Sequence, residues 1–308
     1  MSGLLHRLRW ALGAAVLALA GALLWRQLQA LSIADLRSAW AATSPATLAL
    51  ALLGTAISFA CLAGFEVVAT RRAVPGRVPA IAALQVGAVS HAMANTLGFH
   101  ALSGGAMRLR GYRRFGLGVA DVARVLAIVA ACVATGVVTI AAIAMLWLRV
   151  GTGATSQAWV LAGTLGLVVA GLMWRVRARR LAVTTPWVLL VRGAGWVSLL
   201  GALEMAAAIG SLYVLLPTDA APPLAVFVLV CVGAMLLGIV SHSPGGVGVF
   251  EAAILAAMPG TRHAEVLVAL LLYRLLYNLL PFAVATMALL LGSARNRRPI
   301  ANSVGGRV

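Results

Sequence analysis

Six stretches of this chain are apolar enough to enter a membrane, and most of them exceed the 18 residues at which such a run reads as a spanning helix. They cover residues 10–24, 45–70, 118–148, 158–174, 186–215 and 263–292. No soluble core could bury that many in one domain. A transmembrane barrel would show short alternating segments instead. The class is therefore an all-α polytopic membrane protein. The opening "LLHRLRW" followed by "ALGAAVLALAGALLW" has the look of a signal peptide, but more apolar runs follow it, so it is expected to stay as a first span.

The charges fit that class. Only 10% of the 308 residues are charged, yet the formal net charge is +17. All the basic residues are arginine. They sit in short loops between apolar runs, where they set orientation, so nucleic acid is not the expected partner. Contact with anionic lipid headgroups is compatible with the same loops. Cys61, Cys132 and Cys231 lie in apolar runs without disulfide or zinc spacing and are expected to pack as small apolar residues. Without lysine there is no P-loop. His91, His100 and His242 have no ligand-like spacing with carboxylates, so neither a metal nor a cofactor is expected. No nucleophile–base set is present, and no catalytic activity is expected.

Two further segments, 80–102 and 222–258, are apolar enough to enter the membrane but are interrupted by the glycine pairs Gly104–Gly105 and Gly245–Gly246. Charge decides their topology. If both crossed fully, the arginines at 108–114 and 175–180 would lie outside, against the orientation rule. If each enters and leaves by the same face, six full spans remain. The clusters at 71–77, 108–114, 175–180 and 295–298 then all lie inside, with both termini cytoplasmic. Only Arg26, Arg37, Arg149 and Arg262 face outward.

Each half then reads span, span, re-entrant segment, span. Three crossings per half invert the second half (151–295) relative to the first (1–150), and 296–308 form a cytoplasmic tail. "HALSGGAMR" echoes "SHSPGGVGV", and Glu66 echoes Glu204. In all, eight membrane segments form one domain built as an inverted repeat, with broken helices meeting near the midplane as in transporters.

Broken backbone at membrane depth must be buried in protein or line a wet cavity. After Pro244, Gly245 and Gly246 a half-helix starts whose N-terminus suits an anion such as a lipid phosphate. Glu251, in its opening turns, either compensates the helix dipole or partners a cation, Arg274 or a cationic headgroup. Arg108 and Arg110, after a flexible glycine pair, either cradle a phosphate or sit in a solvated loop. Charges within spans are costly and usually functional. Glu204 stands near mid-span. Glu66 is five residues from Arg71 and can reach the interface. Arg274 and Asn278, with Pro281, share one helix face flanked by Tyr273 and Tyr277, either a cavity wall or interhelical glue. Asp121 and Arg124 are expected to pair locally.

The stretches "NTLGFHALSGGAMRLRGYRRFGLGVADVARV", "SHSPGGVGVFEAAIL" and "LLYRLLYNLLP" together resemble one family. It is the membrane domain of lysyl-phosphatidylglycerol synthases, shared with stand-alone bacterial inner-membrane proteins of similar length. The resemblance covers nearly the whole chain. It implies a flippase that moves a phospholipid between leaflets of the bacterial inner membrane. In two-domain members a separate cytoplasmic domain attaches the amino acid. Here only "SARNRRPIANSVGGRV" follows Gly292, so aminoacyl transfer is not implied. Arg108, Gly245, Gly246 and Arg274 would hold the phosphate, with Asn278 on the same wall, and Glu204 and Glu251 a cationic headgroup. A small-solute carrier, or a non-transporting partner of a lipid- or glycan-modifying enzyme, would share the architecture. An oligomer is compatible with each.

Overall fold

The computed structural model describes residues 43–98, 100–151, 194–218, 221–240, 248–258 and 263–295, together with Arg37, Trp40 and Ala41. The expected spans at 10–24 and 158–174 lie outside the described residues, as do the tail and Gly245–Gly246. Every regular element described is helical.

Helix α1 spans Pro45–Ala73. Ser44 caps it by accepting the Thr47 N–H at 3.1 Å, and Pro45 stands where a missing N–H costs nothing. Arg71 and Arg72 in its last turn complement the helix dipole. Thr55, Ser58, Glu66 and Thr70 recur at helical spacing along one face, and all are buried. The threonines close their hydroxyls onto carbonyls four residues back, Thr55 on Ala51 and Thr70 on Glu66. The opposite face exposes Leu50 and Leu53.

Helices α2 (Ala80–Leu97) and α3 (His100–Tyr112) form an antiparallel hairpin. Gly111 packs on Val86 near its base, and Gly104 packs on Ala94 near its tip. The chain turns at Gly98, whose φ of 72° suits a residue without a side chain. This corrects the expectation that Gly104 and Gly105 break the segment. Both lie inside α3. A Cβ on Gly104 would sit 2.9 Å from the Arg108 Nη1, and one on Gly111 2.6 Å from Val86. These glycines serve close helix packing, as small residues do in membranes.

A short 3-10 turn, Arg113–Phe115, leads to α4 (Val119–Gly151). Arg77, from the α1–α2 loop, bonds the Gly116 carbonyl at 2.7 Å and Asp121 at 3.1 Å. Asp121 also pairs with Arg124 at 2.8 Å, as expected. The end of α1, both ends of the hairpin and the start of α4 thus meet at one basic end of the molecule. At 1.5 Å per residue α2 reaches about 27 Å from that end and α3 about 20 Å, whereas α1 is about 43 Å long.

Helix α5 (Ala194–Tyr213) runs antiparallel to α1. A Cβ on Gly54 would meet Ser211, Glu204 lies against Ser58, and Leu200 against Gly64. Gly136 of α4 meets Gly201 of α5 backbone to backbone, an approach only two glycines permit. Helix α6 (Leu224–Val240) packs on α4 and on the short α7 (Val249–Ala256). The last stretch is helical throughout but not uniform: α8 (His263–Tyr273), a π-helical segment (Arg274–Leu279), then α9 (Leu280–Arg295).

Among the described residues, three helices are long and apolar enough to cross a membrane: Pro45–Ala73, Val119–Arg149 and Glu265–Leu291. Outward-facing side chains include Leu146, Trp147, Leu199, Val284, Met287 and Leu291, while Glu66, Arg108 and Glu204 are buried. Apolar groups outside and ionisable groups inside invert the soluble pattern and suit lipid as the solvent. The three cysteines are free and buried, as expected.

Candidate functional site

The site is organised by the π segment. Pro281 has no N–H to offer the carbonyl of Tyr277, so the preceding turn widens, and the Leu280 N–H bonds Leu275 five residues back. Widening turns Arg274, Tyr277 and Asn278 toward three different neighbours.

Arg274 reaches α7. Its Nε donates to Glu251 Oε1 at 2.7 Å, and Nη2 lies 2.6 Å from the same oxygen. The other oxygen of Glu251 accepts the Gly248 N–H at 2.7 Å, just before α7 begins. Glu251 therefore does both things proposed for it: it satisfies the helix N-terminus and it pairs with Arg274. Both side chains keep an eighth of their surface open, 12% and 13%. The Phe250 ring lies beneath the guanidinium, 6.0 Å away. Gly248 turns with a φ of 84°.

Asn278 reaches the hairpin tip. Its amide donates to the Asn95 carbonyl at 2.9 Å, a group that α2 leaves without an intrahelical partner as it ends. In return the Asn278 carbonyl accepts from the Thr96 hydroxyl at 2.9 Å. Asn278 is glue in this sense, and it places the turn at Gly98 beside the segment that carries Arg274.

Tyr277 reaches α1 and α5. Its hydroxyl lies 2.8 Å from Ser58, and Ser58 donates to Glu204 Oε1 at 2.9 Å. Tyr277 itself is 3.4 Å from that oxygen, a loose contact. Tyr273 stacks on Tyr277 with centroids 5.0 Å apart. Glu204 is 2% exposed and its partners are hydroxyls, not cations.

Arg108 stands apart from all of this. It is buried in a closed cluster on the hairpin's inner face rather than in a solvated loop. Its Nε and Nη2 grip both oxygens of Glu66 at 2.8–3.1 Å. Tyr112 donates to Glu66 Oε1 at 2.9 Å, and His91 lies 3.2 Å from Nη2. Glu66 thus pairs with Arg108, not with the interface near Arg71. Four helical positions, on α1, α2 and α3, supply this cluster, and Gly87 makes it possible: a Cβ there would sit 2.7 Å from the Glu66 Cβ.

Of the sequence-expected residues, Glu251, Arg274 and Asn278 converge, Glu204 joins them through Tyr277, Arg108 does not, and Gly245 and Gly246 lie outside the described residues. Ser58, Thr96, Asn95, Tyr112 and His91 were not among the candidates. Ser58 and Thr96 carry a signal after the fact: each is a hydroxyl in an apolar run, where it needs a partner. Among the described residues no group of histidine, cysteine and carboxylate side chains could hold a metal ion. No family model matches the chain. It is 29% identical over 228 residues to an uncharacterized protein of Synechocystis sp., slr0712, across 69% of this chain and 70% of that one.

Proposed function

We propose that this chain is a lipid translocase of the flippase type in the bacterial inner membrane, a stand-alone relative of the membrane domain of lysyl-phosphatidylglycerol synthases. The observation that carries the proposal is the convergence on one π segment. The hairpin tip from the first half and the α7 N-terminus from the second both bond residues 274–278. That is the arrangement expected where two inverted halves meet across a binding site. The hairpin α2–α3 has both ends at the basic end fixed by Arg77, which supports entry and exit by the cytoplasmic face. The antiparallel run of α1 and α5 supports inversion. Six full spans, two re-entrant segments and cytoplasmic termini complete this topology.

In this mechanism Arg274 takes the lipid phosphate and Glu251 faces a cationic headgroup when the lipid carries one. The two are paired and partly open when no lipid is bound. A phosphate replaces Glu251 at a guanidinium fork, at little electrostatic cost, because one anion exchanges for another. No chemistry on the lipid is required. Arg108, already neutralised by Glu66, holds the hairpin rather than the cargo.

The test is movement of a fluorescent phosphatidylglycerol between leaflets of proteoliposomes, followed by an impermeant quencher. The parent should accelerate it and Arg274→Ala, folded to the same extent, should not. Equal acceleration by both removes Arg274 from cargo binding. Acceleration by neither, with transport of a water-soluble anion, gives a small-solute carrier. Movement of nothing favours a scaffold for an envelope enzyme.

A further inference from the structure

A carboxylate buried in a dry interior needs its lone pairs met and a counter-charge near. Glu204 has neither in full. Its Oε1 accepts from Ser58, while Oε2 is buried with no hydrogen-bond partner among the described residues. No arginine or histidine among them lies within salt-bridge distance. The contrast with Glu66 is sharp, since that carboxylate binds a guanidinium and a phenol at once.

The groups around Glu204 can be named element by element. From α1 it meets Ser58 and Cys61. From the last stretch it meets Tyr277 and, further off, Tyr273. Cys231 of α6 lies near Tyr273. On α4, the Cys132 backbone and Gly136 face Gly201, one turn before Glu204. All these groups are neutral near pH 7. Arg274, which follows Tyr273, is bound by Glu251.

We propose that Glu204 is a proton-binding site: its carboxyl holds one proton in the closed protein, releases it when lipid opens the site, and so couples lipid movement to the proton gradient. This rests on the translocase reading. The step is a simple acid dissociation, with the proton passing from Oε2 to water in the opened cavity and no electron transferred. Sodium is disfavoured because, among the described residues, the side-chain oxygens bonded together here are those of Glu204, Ser58 and Tyr277, fewer than a hard cation takes up.

The hydroxyl chain transmits the change. Ser58 has one hydrogen, given to Glu204, so its contact with Tyr277 uses the Tyr277 proton. Once Oε1 bears charge, Tyr277 turns its one proton from Ser58 to Oε1, and the loose 3.4 Å approach becomes a charge-assisted bond, which is shorter and stronger. Tyr277 sits between Arg274 and Asn278 in the π segment, so the pull acts on both.

The experiment uses the full chain in proteoliposomes with fluorescent phosphatidylglycerol, the voltage clamped at zero by potassium and valinomycin. With one proton per lipid, a pH step of one unit displaces the steady-state leaflet ratio by up to about tenfold. Glu204→Gln, close to isosteric, should move lipid to an even distribution whatever the pH step. A parent that moves lipid but ignores the pH step overturns the coupling and leaves the translocase standing. Displacement by a sodium gradient instead overturns it in favour of a metal cation. If the parent moves no lipid, the translocase fails, and infrared titration decides on the proton site alone. A protonated-acid carbonyl band that titrates in the parent and is missing in Glu204→Gln upholds it; absence of that band in the parent overturns it.

Discussion

Two glutamate–arginine pairs among the described residues, Glu66–Arg108 and Glu251–Arg274, are built differently. Glu66–Arg108 joins α1 to α3 and is sealed: the side chains are 0% and 2% exposed. Tyr112 and His91 complete its shell, and Gly87 lets α2 close over it. Glu251–Arg274 joins α7 to the π segment and is partly open, with backbone and an aromatic ring as its other neighbours. One pair has every charge answered by fixed groups between α1 and the hairpin. The other bridges two segments of the second half 23 residues apart, on a helix already loosened by a proline. The closed pair is suited to hold an element in place, and the open pair to exchange one anion for another.

Breaking the closed pair should cost most. Glu66→Ala leaves the Arg108 cation in a dry site, and removing one partner of a buried pair costs about 3–5 kcal/mol. The expected outcome is a large fall in melting temperature in detergent. Removing both charges in Glu66→Leu with Arg108→Met should recover much of the loss, since no charge is then stranded. A double variant as unstable as the single one would show that the pair contributes more than mutual neutralisation.

Breaking the open pair should separate stability from function. Glu251→Gln keeps the hydrogen-bonding shape and the Gly248 contact but removes the counter-charge. With solvent at hand its cost should fall well below that of Glu66→Ala, nearer the 0–1 kcal/mol typical of accessible pairs. Binding of a lipid with a cationic headgroup should weaken more than binding of plain phosphatidylglycerol, because only the former needs a negative partner. Loss of stability as large as that from Glu66→Ala would erase the distinction between the two pairs.

What could be read in advance follows the same division. Apolar length placed α1, expected over 45–70 and observed over Pro45–Ala73, and Glu251 with Arg274 stood out as ionisable groups next to a helix break. The Arg274–Asn278 face was legible too, although an ideal helix does not foresee that Pro281 widens the turn. The closed pair was not legible. Glu66 has Arg71 nearby in sequence, and its true partner lies 42 residues on, fixed only by where the hairpin turns. That turn was assigned to the conspicuous Gly104–Gly105, whereas a single glycine after "NTL" makes it. Glycines that permit close packing and glycines that permit a turn look alike in a sequence; only the neighbouring helix tells them apart.

The smallest effect expected is the one that asks whether the two regions are independent. Thr96 and Asn278 form the hydrogen-bonded bridge between the hairpin tip and the π segment. Interhelical hydrogen bonds in membranes average only about 0.6 kcal/mol, since the alternative state finds other partners. Thr96→Val, which keeps shape and removes the donor, should therefore barely move the melting temperature. Its consequence should lie elsewhere. If the tip and the π segment move as one body, losing the bridge weakens phospholipid binding at Arg274. A cycle with Asn278→Leu, which removes the amide donor to Asn95, measures the coupling directly. Each variant alone and both together should give the same loss of lipid binding, because the bridge fails once. Strictly additive losses would mean that Asn278 contacts the lipid itself and that the hairpin, with its closed pair, plays no part in the site.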